Sequence, residues 1–135
     1  MIPAKELTAI AAVAVGGAAG SLCRYLVSEA VGSEPDHTAL LGTFLVNISG
    51  CLFIGFLSMS LSELWPSGKY ANALLVTGFL GGFTTFSHFM TQVRTMLGDG
   101  HWPLGIGYTV LCVLLGWFAV WLGQRAGHAV ARGVR

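Results

Sequence analysis

Long apolar stretches alternate with short charged clusters along this chain. The four stretches occupy about residues 7–30, 39–62, 70–97 and 102–124, and each approaches or exceeds the ~20 residues that cross ~30 Å of hydrocarbon as a helix. The connections between them are short, so no separate soluble domain fits. The pattern predicts an all-α integral membrane protein with four transmembrane helices that form a single domain over residues 1–135.

The third stretch contains a segment that conflicts with an unbroken helix. From Gly78 to Phe89 it reads G-F-L-G-G-F-T-T-F-S-H-F. Each glycine costs roughly 1 kcal/mol relative to alanine in a helix, while the threonine and serine hydroxyls can take over backbone partners that a broken helix leaves unpaired. Irregular backbone in a membrane is tolerated only beside protein or a water-filled cavity. We therefore expect a broken third helix with an ion or substrate site near the bilayer centre.

The composition supports a membrane protein and argues against two other classes. Hydrophobic residues make up 54% of the chain and charged residues 10%, whereas a soluble domain carries about 25% charged residues. A net charge of +1 without a basic patch gives no indication of a nucleic-acid partner. The chain has no Ser-His-Asp arrangement, H-E-x-x-H motif or phosphate-binding glycine loop, so we do not expect an enzyme. The expected location is the cell membrane, which the chain would cross several times.

Glycines recur at spacings that bring membrane helices into close contact. Gly16 and Gly20 form a G-x-x-x-G pair in the first stretch, and Gly116 and Gly123 lie two turns apart in the fourth. Four short helices enclose little interior, so a pathway would form more readily between subunits than within one. The distribution of lysine and arginine favours cytoplasmic termini. We expect dense helix packing and an oligomer.

The second and third stretches carry the candidate site residues. Thr43 and Asn47 are four residues apart and share a helical face. The Asn47 amide must either bond a neighbouring helix or line a pathway, because an unbonded amide in a membrane is costly. Phe83, Phe86 and Phe89 follow at three-residue steps and either pack against helices or present the positive edges of their rings to an anion. The residues alone leave both pairs of alternatives open.

Charged groups are scarce near the membrane centre. Arg24 lies near the end of the first stretch, where its side chain either reaches the headgroups or raises the anion concentration at a vestibule. The central portions of the spans contain no Asp, Glu or Lys, which argues against a proton-coupled exporter. His88 lies deep in a span, and its titration would make transport depend on pH.

Three motifs in chain order resemble those of the small fluoride channels known as the Fluc or CrcB family, and the match covers essentially the whole chain. The third motif is the longest and most specific, since the family signature usually runs G-F-x-G-G-x-T-T-F-S-T-F. The motifs read G-G-A-A-G at 16–20 with R-Y at 24–25, G-T-F-L-V-N at 42–47 with G-C-L-F-I-G-F at 50–56, and G-F-L-G-G-F-T-T-F-S-H-F at 78–89.

The resemblance implies an antiparallel, dual-topology dimer with two fluoride pathways and a central structural sodium ion. It implies passive export of cytoplasmic fluoride, either by a homodimer or by two different subunits of opposite orientation. The backbone carbonyls of Gly81 and Thr84 would hold the sodium. The residues that would line each fluoride pathway are Asn47, Phe86, Phe89, Ser87 and Tyr108, together with Thr43, His88 and Arg24.

The chain departs from the family pattern at three neighbouring positions. His88 stands where threonine is usual, Met90 where a small polar residue is common, and Gln92 where glutamate is common. These departures leave the central motif intact and concern the outer end of the pathway.

A coupled small-ion or small-drug exporter of the four-span type is the alternative function, and a non-transporting assembly protein is a third. The missing mid-membrane carboxylate argues against the exporter, while a broken, hydroxyl-rich helix would be an unexplained cost in an assembly protein.

Overall fold

Helices account for every regular element of the residues that the computed structural model describes, which are 3–31, 38–66 and 68–134. Residues 69–83 form one continuous helix, called here the first half of the third span, and residues 86–98 form its second half. Counting the broken third span as one, four helices are long and apolar enough to cross a membrane. The predicted fold, an all-helical membrane protein with a broken third helix, is confirmed. The elements are α1 (Ala4–Val31), α2 (Thr38–Leu64), α3 (Lys69–Asn72), the π-helix π1 (Ala73–Leu80), α4 (Gly81–Phe83), α5 (Phe86–Gly98) and α6 (Trp102–Val134).

The first half of the third span packs closely on α1. A Cβ atom built on Gly16 would lie 2.1 Å from the carbonyl oxygen of Leu74, and one built on Gly20 would lie 1.9 Å from that of Phe79. No side chain fits at either position, so the two backbones touch. The predicted role of the G-x-x-x-G pair in helix contact is confirmed.

A second close pair is formed by α2 and α6. A Cβ atom on Gly123 would lie 2.1 Å from the carbonyl oxygen of Leu52, and one on Gly55 would lie 2.2 Å from that of Val120. Gly116 is also buried, with Cys51 above it. The predicted packing role of the fourth-stretch glycines is therefore confirmed, and their partner is the second helix.

The helix α6 is longer than the span that its apolar residues define. Its 33 residues correspond to about 50 Å of helix, whereas the hydrocarbon core is about 30 Å thick. The sequence placed the end of the span near Gln124, but the helix continues because its next turns still rest on α2. Gly127 and Ala131 are buried there, and His128 pairs with Glu63.

The break allows the two halves of the third span to pack on different helices. Its first half lies on α1, whereas α5 packs against α6 and α2. A turn then joins α5 to α6, with Gly100 at a φ of 81°. The Gly100 N–H donates to the Leu97 carbonyl (3.2 Å) and the His101 N–H to the Met96 carbonyl (2.8 Å), which is the Schellman arrangement that ends many helices. The break thus lies between α1 on one side and the α2–α6 pair on the other, within reach of both α1 and α2.

Candidate functional site

The break itself consists of two extended threonines. Thr84 has φ −73° and ψ 155°, and Thr85 has φ −143° and ψ 117°. The glycines before them, which the sequence analysis held responsible, stay helical. Gly82 is needed for packing instead, because a Cβ atom there would lie 2.3 Å from the carbonyl oxygen of Gly17. The location of the break is confirmed, and its assignment to the glycines is corrected.

Asn47 on α2 holds the break open with both ends of its amide. Its Nδ2 donates to the Thr85 carbonyl (2.9 Å), and its Oδ1 accepts from the Thr85 N–H (2.8 Å). In an unbroken helix this N–H would donate to the Gly81 carbonyl four residues earlier. Thr85 is only 7% exposed, so the amide replaces water as well as the lost helical bond. The interhelical alternative for Asn47 is thus realised, and only one of its two N–H groups is used in this way.

Threonine hydroxyls satisfy the remaining ends of the broken helix. The Thr85 hydroxyl oxygen accepts from the His88 N–H (3.3 Å) and caps α5. The Thr84 hydroxyl donates to the Leu80 carbonyl (3.0 Å), which also accepts the helical bond from the Thr84 N–H (3.0 Å). Ser87 lies beside the cap, with its Oγ 3.1 Å from the Thr85 hydroxyl oxygen. The expectation that hydroxyls take over backbone partners is confirmed for the Thr85 hydroxyl.

Arg24 brings a positive charge from α1 to the break. Its Nε donates to the Gly82 carbonyl (3.1 Å), which also accepts from the Ser21 hydroxyl (3.4 Å). Its Nη1 lies 3.5 Å from Nδ1 of His88. The side chain is therefore directed at the broken span, and this position is the one expected if its charge attracts anions.

Two carbonyls at the break lose the donors that a continuous helix would give them. The Thr85 N–H, the helical donor for Gly81, is taken by Asn47. The His88 N–H, which would serve Thr84, is taken by the Thr85 hydroxyl. These two carbonyls are the ones that the resemblance assigns to sodium, and carbonyl oxygens are ligands that a hard cation accepts. No group of three or more His, Cys, Asp or Glu that could hold a metal occurs in the described part of the chain, so a cation there would depend on backbone oxygens.

A second polar cluster joins α2, α5 and α6 on the far side of Phe89. The Nε2 of Gln92 donates to the hydroxyl oxygen of Thr43 (2.9 Å) and to the carbonyl of Ala39 (3.0 Å). The hydroxyl of Tyr108 lies 3.2 Å from Oε1 of Gln92 and donates to it. The sequence analysis recorded Gln92 as a departure but did not place it in the site. A carboxamide inside a membrane span was the available signal, because it must find partners there.

An aromatic row connects the two polar clusters. The ring centroids of Phe86 and Phe89 are 5.8 Å apart, and those of Phe89 and Tyr108 are 5.6 Å apart. Phe89 is 7% exposed, whereas Phe86 is 74% exposed. The row therefore begins on the open surface and ends inside the helix packing.

The structure gathers the predicted pathway residues around the break and along α5, although one chain does not enclose them. Phe86, Ser87 and His88 are exposed on the surface of the single chain. Polar groups at this depth need a protein or water neighbour rather than lipid. The residues brought together are Arg24, Asn47, Phe86, Ser87 and His88 near the break, and Thr43, Phe89 and Tyr108 with Gln92 beyond it.

Comparison with known proteins identifies relatives over most of the chain. Residues 11–124 match the family described as CrcB-like protein, Camphor Resistance (CrcB). A Brucella melitensis protein named fluoride-specific ion channel FluC 1 is 41% identical over 118 residues, which cover 86% of this chain and 96% of the relative. The fluoride-specific ion channel FluC of Solibacter usitatus is 40% identical over 111 residues, 82% of this chain and 91% of the relative. The fluoride-specific ion channel FluC 2 of Nocardia farcinica is 35% identical over 127 residues, 94% of this chain and 90% of the relative. With its broken third span and its match over residues 11–124, the chain belongs to the CrcB family.

Proposed function

We propose that the protein is a fluoride-specific ion channel through which cytoplasmic fluoride leaves the cell passively. The observation that carries the proposal is the identity of about 40% to proteins that bear this name, over more than nine-tenths of their length. Such a channel is a multi-pass membrane protein and not an enzyme. The four apolar spans agree with that description.

The site offers the donors that a small, strongly hydrated anion requires when it loses water. Arg24 supplies a positive charge that concentrates anions at the approach to the break. Ser87 and the second N–H of Asn47 then offer hydrogen bonds at the break itself. The edges of Phe86 and Phe89, which carry partial positive charge, line the next step. The Tyr108 hydroxyl, with Thr43 beside it, would receive the ion beyond the rings.

A second subunit would complete the pathway. Phe86, Ser87 and His88 are exposed in the single chain, and polar side chains within a membrane span usually face protein or water rather than lipid. Gly81 is exposed as well, and a Cβ atom there would meet nothing within 4 Å. An antiparallel, dual-topology dimer that covers these residues accounts for both observations. A homodimer needs only this chain, while a heterodimer would need an oppositely oriented relative.

A structural sodium ion is part of the proposal. Gly81 and Thr84 would hold it through the two carbonyls whose helical donors are diverted. When bound, the ion would supply positive charge that stabilises the exposed carbonyl dipoles at the break.

A coupled exporter is the less favoured alternative. Within the described residues, each acidic side chain lies near the end of a helix or in a connection rather than at the centre of a span. Proton coupling usually depends on a carboxylate deep in the membrane. The His88 imidazole would be the remaining candidate for a proton carrier.

Efflux from liposomes tests the proposal directly. Purified protein is reconstituted with internal fluoride, and release is followed with a fluoride-selective electrode, with chloride-loaded liposomes as the control. We expect fluoride release and no chloride release. If liposomes that contain the protein release fluoride no faster than protein-free liposomes, the channel function is refuted. Release that requires an imposed proton gradient would instead favour the coupled exporter.

A further inference from the structure

The imidazole of His88 is held at one ring nitrogen by two neighbours. Its Nδ1 lies 3.5 Å from Nη1 of Arg24 and 3.5 Å from the hydroxyl oxygen of Thr85. The other ring nitrogen, Nε2, lies at the far end of the ring from the backbone. His88 is exposed as a whole, and both of these ring contacts are made by Nδ1.

The Arg24 contact decides which nitrogen carries the proton. A guanidinium has only N–H donors and cannot accept a hydrogen bond, so Nδ1 must face it with a lone pair. The Thr85 hydroxyl oxygen already accepts from the His88 backbone N–H, and its own proton can be shared with Ser87 or with Nδ1. Arg24 is itself fixed, because its Nε donates to the Gly82 carbonyl. An imidazole that accepts at Nδ1 carries its single proton on Nε2.

We propose that Arg24 fixes His88 as the neutral Nε2–H tautomer, and that this N–H is an anion donor of the pathway. Arg24 is then a positioning residue, and His88 replaces a hydroxyl donor with a ring N–H that reaches further from the helix. The anion it would meet is small and hard, and the two preceding residues, Phe86 and Ser87, are exposed as well. The donor role rests on the proposed function, whereas the tautomer does not.

Nitrogen NMR tests the tautomer without any transport measurement. The full chain is labelled with ¹⁵N-histidine in lipid, and the His88 signals are assigned as those missing from His88→Thr among the four histidines. We expect a protonated Nε2 and an unprotonated Nδ1 in the wild-type protein. In Arg24→Gln, which lacks the charge, we expect a mixture of tautomers. A wild-type imidazole with its proton on Nδ1, or with both nitrogens protonated at neutral pH, would overturn the assignment.

Fluoride efflux tests the donor role. A hydrogen bond to a charged partner is worth enough that His88→Leu should lower the efflux rate roughly tenfold or more. His88→Asn, which restores an N–H donor, should recover part of the loss, and His101→Leu in the turn after α5 serves as the matched control. Wild-type efflux with undiminished His88→Leu efflux would overturn the donor role alone. No efflux from the wild type would refute the proposed function itself, while the NMR result would still decide the tautomer.

Discussion

Asn47 keeps the third span broken, and replacing it with alanine should both destabilise the protein and disturb the break. The substitution deletes the 2.9 Å and 2.8 Å hydrogen bonds to the Thr85 backbone. A typical hydrogen bond contributes about 0.5–1.5 kcal/mol net, and interhelical hydrogen bonds in membranes average about 0.6 kcal/mol. Two such bonds give an expected loss of about 1–3 kcal/mol in the free energy of unfolding.

We expect the loss to lie below the upper end of that range, because the Thr85 backbone N–H has another acceptor available. Without the Asn47 amide, the Thr85 N–H can return to the Gly81 carbonyl if the helix closes. The third span would then be closer to a continuous helix. We therefore expect a clear loss of fluoride efflux even if the free energy of unfolding falls by only about 1 kcal/mol. Ser49→Ala is the matched control on the same helix, because the Ser49 hydroxyl donates to carbonyls of α2 itself, those of Leu45 (2.6 Å) and Val46 (3.2 Å). We expect that control within about 0.5 kcal/mol of wild type.

Reversible unfolding in mixed micelles measures the free energy, and amide hydrogen exchange at Thr85 reports the state of the break. The expected result for Asn47→Ala is a lower unfolding free energy with a changed exchange rate at Thr85. Equal unfolding free energies and equal Thr85 exchange in Asn47→Ala and Ser49→Ala would refute this account of the break.

Two further predictions concern helix packing and the aromatic row. Gly123→Ala places a Cβ atom 2.1 Å from a carbonyl oxygen of α2 and should cost about 1–3 kcal/mol of unfolding free energy. Gly107→Ala on the same helix meets nothing within 4 Å and should be neutral or stabilising, so equal losses would contradict the close contact. Phe89→Ala removes a buried ring and should cost about 3–5 kcal/mol, while Phe86→Ala should spare the single-chain fold. Both should reduce fluoride efflux, and unchanged efflux in both, with dimers intact, would mean that the rings only pack.

The sequence predicted the broken span correctly but not the residues that break it. Gly81 and Gly82 suggested flexibility, yet both are helical. A glycine in a membrane helix either weakens the helix or allows a neighbouring helix to approach closely. Gly82 allows the close approach of Gly17. Which of the two applies depends on where α1 lies, and the local sequence does not contain that information. The extended conformation falls instead on Thr84 and Thr85, where side-chain hydroxyls and Asn47 replace the helical bonds.

The same limit applies to the aromatic row and to the end of α6. Phe86 and Phe89 look equivalent in the sequence, but α6 covers only Phe89 with Tyr108. The charges from Arg125 onwards led to the prediction that the span ends near Gln124. They did not mark the end of the helix, because small residues such as Gly127 and Ala131 continue to pack on α2.

The two halves of the third span pack on different helices, the first on α1 and the second on α6 and α2, and this arrangement has a consequence for membrane insertion. This span is the least apolar of the four, with a mean hydropathy of 1.3 compared with 1.6, 2.0 and 1.9 for the others. Its polar groups find partners on helices made earlier, since Arg24 and Asn47 precede the break in the chain. The Nε2 group of Gln92 likewise finds Ala39 and Thr43 on α2, whereas its Oε1 is bonded by Tyr108, which is synthesised later. We therefore expect the first half of the third span to find its partners as soon as it is inserted, and the second half to gain its last partner only when the fourth helix has entered the bilayer.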